Sequence, residues 1–348
     1  MFLRNSWYVG AWSKELSEKP LARRLLNEAI VMFRVGDGEV AALEDRCPHR
    51  HLPLSMGKVE ASALRCAYHG MLFDRSGACL EVPSQPTIPT NACVRSYPAV
   101  DRHGWVWVWM GEPEMADPEL IPDFHRLTDP AHATVGKTNH VAAGYKLVTD
   151  NLVDLSHVGY VHTSTIGNNE FTQKGHLKVE PTDRGVRVKR LVPDVPPPPA
   201  YIKTGRLPEG KNIDRWQIID FIAPSFVHIH AGGAETGTGA LEGRYDHALN
   251  FWIINAMTPE TETSTHYFWA SVRDFALGVE AVDKLLFGQV NEAFEEDRVV
   301  LEAQQKVLDE REDSWKVALG ADAGSMQARR VLERLIAAET KTKAAAAS

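Results

Sequence analysis

The chain of 348 residues is long enough for two domains, and its 44% hydrophobic content is that of a globular protein. Lys and Arg number 38 against 46 Asp and Glu, a net charge of −8 with no basic run to offset it, which excludes nucleic acid and anionic membrane surfaces as partners. No apolar stretch approaches the roughly 20 residues of a membrane span, four cysteines are too few for a disulfide framework, and Met1–Asn5 lacks a signal-peptide layout, so a reducing cytoplasm is expected.

Ala29–Val35 and Glu39–Leu43 flank Gly36-Asp37-Gly38, a turn sequence that tolerates positive φ, and predict a hairpin. Cys47-Pro48-His49 follows and, sixteen residues on, Cys66-Ala67-Tyr68-His69. Each short stretch offers one thiolate and one imidazole. Two centres fit such a set: zinc, and a [2Fe–2S] cluster of the Rieske kind, in which two Cys hold one iron and two His the other. Zinc fingers usually group like with like. Mixed pairs suit a Rieske centre, because each loop then gives one ligand to each iron. Gly70–Asp74 and Ala78–Val82 predict a second hairpin around Arg75-Ser76-Gly77, so both loops sit between short strands of an all-β region. Trp105–Met110 alternates with period two and puts three Trp on one face, as core rather than as a ligand platform. Cys79 and Cys93 read as ordinary thiols. The first domain is therefore expected over 1–112, with a proline-rich linker over 113–130.

The second domain is expected over 131–340. It opens with a strand at Thr138–Tyr145, and further strands are predicted at 176–192, 215–231, 247–257 and 262–274. Pro196–Pro199 must be an extended loop. Gly232–Gly239 is glycine-rich but does not open a strand–helix unit, so it reads as a flexible loop rather than a nucleotide cradle. From Leu277 to Asp309 the pattern is helical, 325–339 is a final helix, and 341–348 is an Ala-rich disordered tail. Strands gathered ahead of a long terminal helix predict an α+β fold, an antiparallel sheet with helices on one side.

Asp150–His162 carries two histidines five residues apart. On a regular helix these point about 140° apart, so the helix must either end near Gly159 or carry a π-type distortion for both to reach one ion. Asn151, Asp154 and His157 follow at spacings of three and share a polar face. A mononuclear oxygen-activating iron takes two His and one carboxylate. In the long helix, Leu286, Val290, Phe294 and Leu301 mark an apolar stripe, and Asp297 falls on it while Glu295 and Glu296 fall off it. A carboxylate on a buried stripe must be paired or bound to a metal, so Asp297 is either the third ligand or half of a buried salt bridge.

Cys47-Pro48-His49-Arg50 and Cys66-Ala67-Tyr68-His69-Gly70 resemble the signature of the Rieske-type ring-hydroxylating and O-demethylating oxygenases. From Asn5-Ser6-Trp7-Tyr8-Val9 to Gln327-Ala328-Arg329-Arg330 the chain resembles the oxygenase components of the vanillate O-demethylase, dicamba O-demethylase and toluenesulfonate methyl-monooxygenase group. The resemblance implies an N-terminal all-β Rieske domain and a helix-grip-like catalytic domain. It puts the [2Fe–2S] cluster on Cys47, His49, Cys66 and His69, and a mononuclear Fe(2+) on His157, His162 and Asp297. Asn151-Leu152-x-Asp154-x-x-His157-x4-His162 matches the family's motif and places Asn151 and Asp154 in the catalytic machinery. It also implies a head-to-tail homotrimer in which Asp154 links His69 of one chain to His157 of the next. On physical grounds Asp154 can equally orient His157.

The implied reaction is O2 activation and attack on a C–H bond of a methyl or methoxy group of a small aromatic acid. A hydroxylated methoxy carbon collapses to a phenol and formaldehyde. Electrons come from NADH through a separate flavin and iron–sulfur reductase, since this chain has no dinucleotide motif of its own. Aryl-methyl hydroxylation of a toluenesulfonate-like acid, ring dihydroxylation and a non-catalytic Rieske electron carrier are the other readings, and a carrier would need only the first domain. The pocket is expected around Phe226–His230 and Asn250–Asn255, with His228, His230, Trp252 and Asn255 as substrate contacts. In dicamba O-demethylase a substrate-holding His precedes the run that matches Thr258-Pro259-Glu260-Thr261-Glu262, and the corresponding residue here is Asn255.

Overall fold

Alternating apolar strands frame the chain, and they gather into two units. The computed structural model describes every residue except 37, 155, 163–175, 199–200, 203, 205, 208–209, 247, 311–316 and 347–348. Asp37 of the first turn, Leu155 of the histidine-bearing stretch and the last proline of the 196–199 run thus lie outside the described residues. The first unit takes Met1–Asp123 with Thr258–Glu262 and the end of the last helix from Glu339, and the second takes Phe124–Met257 and Thr263–Ala338. The division falls within the expected linker, where prolines open short 3-10 turns at Pro113–Met115 and Pro118–Leu120. Among the described residues no helix is long and apolar enough to cross a membrane.

In the first unit the strands are β1 (Trp7–Trp12), β2 (Leu21–Leu25), β3 (Glu28–Arg34), β4 (Val40–Glu44), β5 (Lys58–Glu60), β6 (Ala63–Arg65), β7 (Leu72–Asp74), β8 (Cys79–Glu81), β9 (Ser96–Tyr97), β10 (Ala99–Arg102) and β11 (Trp105–Trp109). They form three antiparallel sheets ordered β1-β11-β10, β2-β3-β4-β9 and β5-β6-β7-β8. The three Trp of β11 are core, as their alternation predicts: Trp105, Trp107 and Trp109 are buried, and Trp109 and Trp105 stand opposite Trp7 and Trp12 with ring centroids 5.4 Å apart in each pair. Two of the indole N–H groups are occupied within the fold, Trp107 donating to the Arg102 carbonyl and Trp109 to that of Glu112. The Thr258–Glu262 run joins this unit through the amides of Leu26 and Asn27, which donate to the carbonyls of Pro259 and Glu260.

The second unit is a seven-stranded antiparallel sheet of β12 (Ala133–Val141), β13 (His176–Thr182), β14 (Gly185–Val195), β15 (Ile213–Ile222), β16 (Phe226–Glu235), β17 (Leu249–Pro259) and β18 (Thr265–Arg273). The strand order is β12-β18-β17-β16-β15-β14-β13. The first strand and the last are neighbours at one edge, so the chain between β12 and β13 must travel from that edge to the other. That crossing holds helix α1 (Tyr145–Val153) and the single turn α2 (Val158–Val161); helix α3 (Glu280–Asp309) follows β18. The opening strand thus starts five residues ahead of the predicted start, and the predicted strand end at Tyr145 is already helix. Glu302 and Gln305 of α3 accept from the amides of Ala142 and Gly144, capping the start of α1. Glu295 of α3 accepts from Asn139 on β12.

Two helix expectations need correction. The histidine segment breaks first at Asp154, whose backbone is extended, and its one-turn second piece ends at Val161, close to the end expected near Gly159. Asn151, Asp154 and His157 therefore do not share one helical face, and His162 leaves the helix at φ −102° and ψ 38°, which frees the pair from the about 140° separation of a regular helix. The last helix, α4 (Ala323–Ala346), runs through most of the stretch expected to be disordered, because Ala and Lys are strong helix formers. Arg329 of α4 pairs with Asp150 of α1 at 2.8 Å and so fixes the helix that carries Asn151.

Gly77, in the turn between β7 and β8, sits at φ 83°, and a Cβ there would lie 1.8 Å from the Val94 carbonyl oxygen. Gly77→Ala is expected to destabilise the first unit by about 1–3 kcal/mol. Denaturant unfolding of the two proteins measures this, and an unshifted midpoint would contradict it.

Candidate functional site

The two Cys–His loops are near copies of one another. The Cys47 amide donates to the Leu52 carbonyl and the His51 amide to the Cys47 carbonyl, both at 2.9 Å. The Cys66 amide donates to the Met71 carbonyl at 2.8 Å, and the Gly70 amide to the Cys66 carbonyl at 3.1 Å. The fourth residue after each Cys, His51 or Gly70, takes positive φ to close the loop. Arg65 braces the second loop by donating to the Gly70 carbonyl while pairing with Glu60 and Glu81. Cys47 and Cys66 are buried in a cluster with Phe33, Leu43, Leu54, Leu64 and Phe73. His49 and His69 are exposed at the loop tips, with ring centroids 4.4 Å apart. Burial pushes the Cys47 thiol up, while the His49 and Arg50 amides pull the other way by favouring the thiolate. Two thiols inside and two imidazoles outside, one of each per loop, fit a Rieske cluster and not a zinc site that groups its ligands by type.

In the second unit α2 and α3 bring His157, His162 and Asp297 together, with one donor atom from each within 4.8 Å of the others. Asp297 lies 5% exposed on the apolar stripe of α3. Its Oδ1 is 3.5 Å from His157 Nε2 and 3.3 Å from His162 Nε2. The other nitrogen of each ring is occupied. His157 Nδ1 meets the Asp154 backbone carbonyl at 2.6 Å, and His162 Nδ1 meets Glu296 Oε2 at 2.7 Å. Both partners can only accept, so both Nδ1 atoms carry hydrogen, and Nε2, the atom that faces Asp297, is the nitrogen each ring can offer a metal. Asn151 Nδ2 donates to Asp297 Oδ1 at 2.9 Å and holds that carboxylate in place. Burial lowers His157; it opposes protonation of His162 as well, but the Asp297 and Glu296 carboxylates outweigh it and raise that ring. Two imidazoles and one carboxylate with open positions are the donor set of a non-haem ferrous site.

Asp154 is beside this centre, but its carboxylate accepts from the Ser156 amide and hydroxyl while its backbone carbonyl faces His157. Glu296 is the functional residue that the stripe argument missed. It falls off the apolar stripe, and only the turn of His162 toward α3 reveals its part.

The three groups form one wall of a cavity of about 140 Å³. The sheet supplies Arg215, Gln217, Ile229, Ala231, Phe251, Ile253 and Ser271, and α3 supplies Leu286, Val290, Ala293 and Phe294 from above. The strands expected to line the pocket do so, but through other residues. His228, His230 and Trp252 point to the opposite face of the sheet, because side chains alternate along a strand and a one-residue shift changes face. There His230 stacks on Trp252, with ring centroids 5.4 Å apart, and meets Asn250 Oδ1 at 3.0 Å. Asn255 shares the inner face yet lies beyond the cavity, fully buried, donating to the Val227 carbonyl and accepting from the Tyr267 hydroxyl. None of these four lines the cavity.

Residues 6–98 match the family model described as the Rieske [2Fe–2S] domain, and residues 141–338 match that of the vanillate O-demethylase oxygenase C-terminal domain. The chain is 40% identical to the toluene-4-sulfonate monooxygenase system iron–sulfur subunit of Comamonas testosteroni, over 97% of this chain and 98% of that one. It is 38% identical to the vanillate O-demethylase oxygenase subunit of a Pseudomonas species, over 99% and 98%. The crystal structure of dicamba monooxygenase bound to dicamba superimposes with a TM-score of 0.90 at 35% identity, covering 98% of this chain and 99% of that one.

Removing the Glu296 carboxylate frees His162 to turn. Glu296→Ala is expected to weaken iron binding at the second centre about 10- to 100-fold, with the Rieske absorbance unchanged. Iron retained against graded chelator measures it, and unaltered retention would contradict the assignment. Burial pushes His228 down to about 4, and the opposing pull of Asp220 does not restore it. The unfolded chain then takes up a proton that the folded one refuses, so stability falls as pH drops from 6.5 toward 4. His228→Leu should flatten that slope in unfolding measured across this range, and an equally steep slope would contradict the account.

Proposed function

The chain belongs to the family of Rieske-type aromatic oxygenase components, which join a Rieske [2Fe–2S] domain to a vanillate O-demethylase oxygenase C-terminal domain, and on that footing we propose that it is the terminal oxygenase of a system that hydroxylates a methyl or methoxy group of an aromatic acid. With a vanillate-like methoxy substrate, the hydroxylated carbon is a hemiacetal that separates into a phenol and formaldehyde. The observation that carries this reading is the convergence of His157, His162 and Asp297 on the wall of a mainly apolar cavity. A pure electron carrier has no use for a second centre opening on such a cavity.

When bound, a cluster at Cys47, His49, Cys66 and His69 supplies electrons singly, and a ferrous ion at His157, His162 and Asp297 supplies O2 activation. The protein's own residues prepare those sites. Glu296 and the Asp154 carbonyl keep hydrogen on the two Nδ1 atoms, so each imidazole presents its Nε2 lone pair to the ion. Asn151 fixes Asp297. Ile229, Ile253, Val290 and Phe294 supply an apolar surface for an aromatic ring and keep water from it.

The Rieske role belongs to the domain at 1–112 and catalysis to 131–340. Electrons reach the cluster from NADH through a separate flavin and iron–sulfur reductase, in the cytoplasm. Three copies close into a head-to-tail ring, so that the cluster of one chain serves the iron of the next. Asp154, next to His157 and half-buried, carries the link across that interface.

The purified chain with a family reductase, NADH and O2 tests the reading on vanillate and 4-toluenesulfonate. Formaldehyde equal to the phenol formed from vanillate, or a hydroxymethyl product from the sulfonate, is expected. A cis-diol, or no oxygen uptake by the fully loaded protein with any aromatic acid, would contradict it.

A further inference from the structure

The cavity has two polar ends. His157, His162, Asp297 and Asn151 form one. At the other, Arg215 and Gln217 stand two residues apart on β15 and so project from the same face. Between them the sheet floor is Ile229, Ala231, Phe251 and Ile253. Arg215 is 3% exposed and Gln217 is 7% exposed. Apart from the two imidazoles at the metal end, Arg215 is the one cationic side chain among the described residues that line the cavity.

The arrangement around Arg215 is built rather than incidental. Its guanidinium lies over the Tyr201 ring, 5.3 Å from the centroid. Arg215 pairs across the sheet with Gly233, where a Cβ would stand 3.4 Å from the Tyr201 ring and 2.6 Å from Ile213 Cδ1. A bare backbone at 233 thus leaves room for the tyrosine that carries the guanidinium. Gln217 Oε1 is buried with no hydrogen-bond partner among the described residues. A buried amide oxygen left unmatched by the fold is a cost that a ligand's hydrogen bond can recover. Amide ends are interchangeable by rotation, so Gln217 can serve a ligand donor or acceptor. This end is remote from the metal ligands. Tyr201 packs with Leu286 of α3, and Leu286 is eleven residues, roughly 16 Å of helix, from Asp297.

We propose that Arg215 anchors the acid group of the substrate, a carboxylate or sulfonate, with Gln217 hydrogen-bonding beside it, at the end of the cavity opposite His157, His162 and Asp297. The anchor selects aromatic anions over neutral rings. It also sets the ring lengthwise, with the substituent remote from the acid group facing the metal ligands. This rests on the oxygenase reading above.

The test is calorimetric titration of the iron-loaded full-length protein, without oxygen, using 4-methoxybenzoate, 4-toluenesulfonate and neutral 4-methoxybenzamide. Wild type should bind both anions at least ~10-fold tighter than the amide. Arg215→Met should lose about 30-fold or more in affinity for the anions and little for the amide, and Arg215→Lys should recover part of the anion preference. If Arg215→Met does not retain its iron, the wild-type preference and Arg215→Lys decide the matter. Equal binding of anions and amide by wild type, or an undiminished anion preference in an iron-replete Arg215→Met, overturns the anchor. Either result obtained while wild type still turns over an aromatic acid leaves the oxygenase reading standing. Failure of the fully loaded wild type to bind either anion overturns the anchor, and no oxygen uptake with any aromatic acid overturns both.

Discussion

A carboxylate buried on the apolar stripe of a helix is the constraint on which the second unit depends. Asp297 is held between α3 and the sheet, where an isolated charge would be costly. Its compensation comes from three side chains on one crossing segment: Asn151 from the end of α1, and His157 and His162 from the turn beyond it. Because β12 and β13 stand at opposite edges of the sheet, the connection between them must cross from one edge to the other. The break at Asp154 turns that connection toward α3. The same break frees the Asp154 carbonyl to accept from His157. Fold, electrostatics and ligand orientation are thus one arrangement.

The first unit solves a related problem with opposite polarity. Its two loops bury their thiols in a hydrophobic cluster and leave their imidazoles outside. Sulfur, soft and weakly hydrated, is the inexpensive group to bury, while the imidazole edge stays where an electron partner can approach. Paired loops of matching backbone bonding, each closed by a positive-φ residue, hold both thiols without a disulfide.

What was legible in the sequence follows the range of the interactions involved. Cys47, His49, Cys66 and His69 were readable because loop ligation is local in sequence. Asp297 was readable because a charge on an apolar stripe breaks a periodic pattern. Glu296 was not, since a glutamate off the stripe looks like solvated surface until the fold turns His162 toward it. The pocket strands were located but assigned the wrong face. His228 and His230 are polar residues among apolar ones, and so drew the reading toward the face they occupy. Ile229 and Ala231, which line the cavity, look like ordinary core. Arg215 was missed because an arginine in a strand gives no sign of burial until its neighbours across the sheet are known. The Asp154 break was equally hidden, since no glycine or proline marks it.

Iron and acid-labile sulfide per chain, measured in wild type and in Asp297→Ala with the Rieske absorbance recorded alongside, test the central claim most directly. The account predicts about three irons and two sulfides in wild type, and about two irons with unchanged sulfide and spectrum in the variant. Two irons in both proteins, from preparations shown to be fully loaded, would make this chain an electron relay and contradict the account.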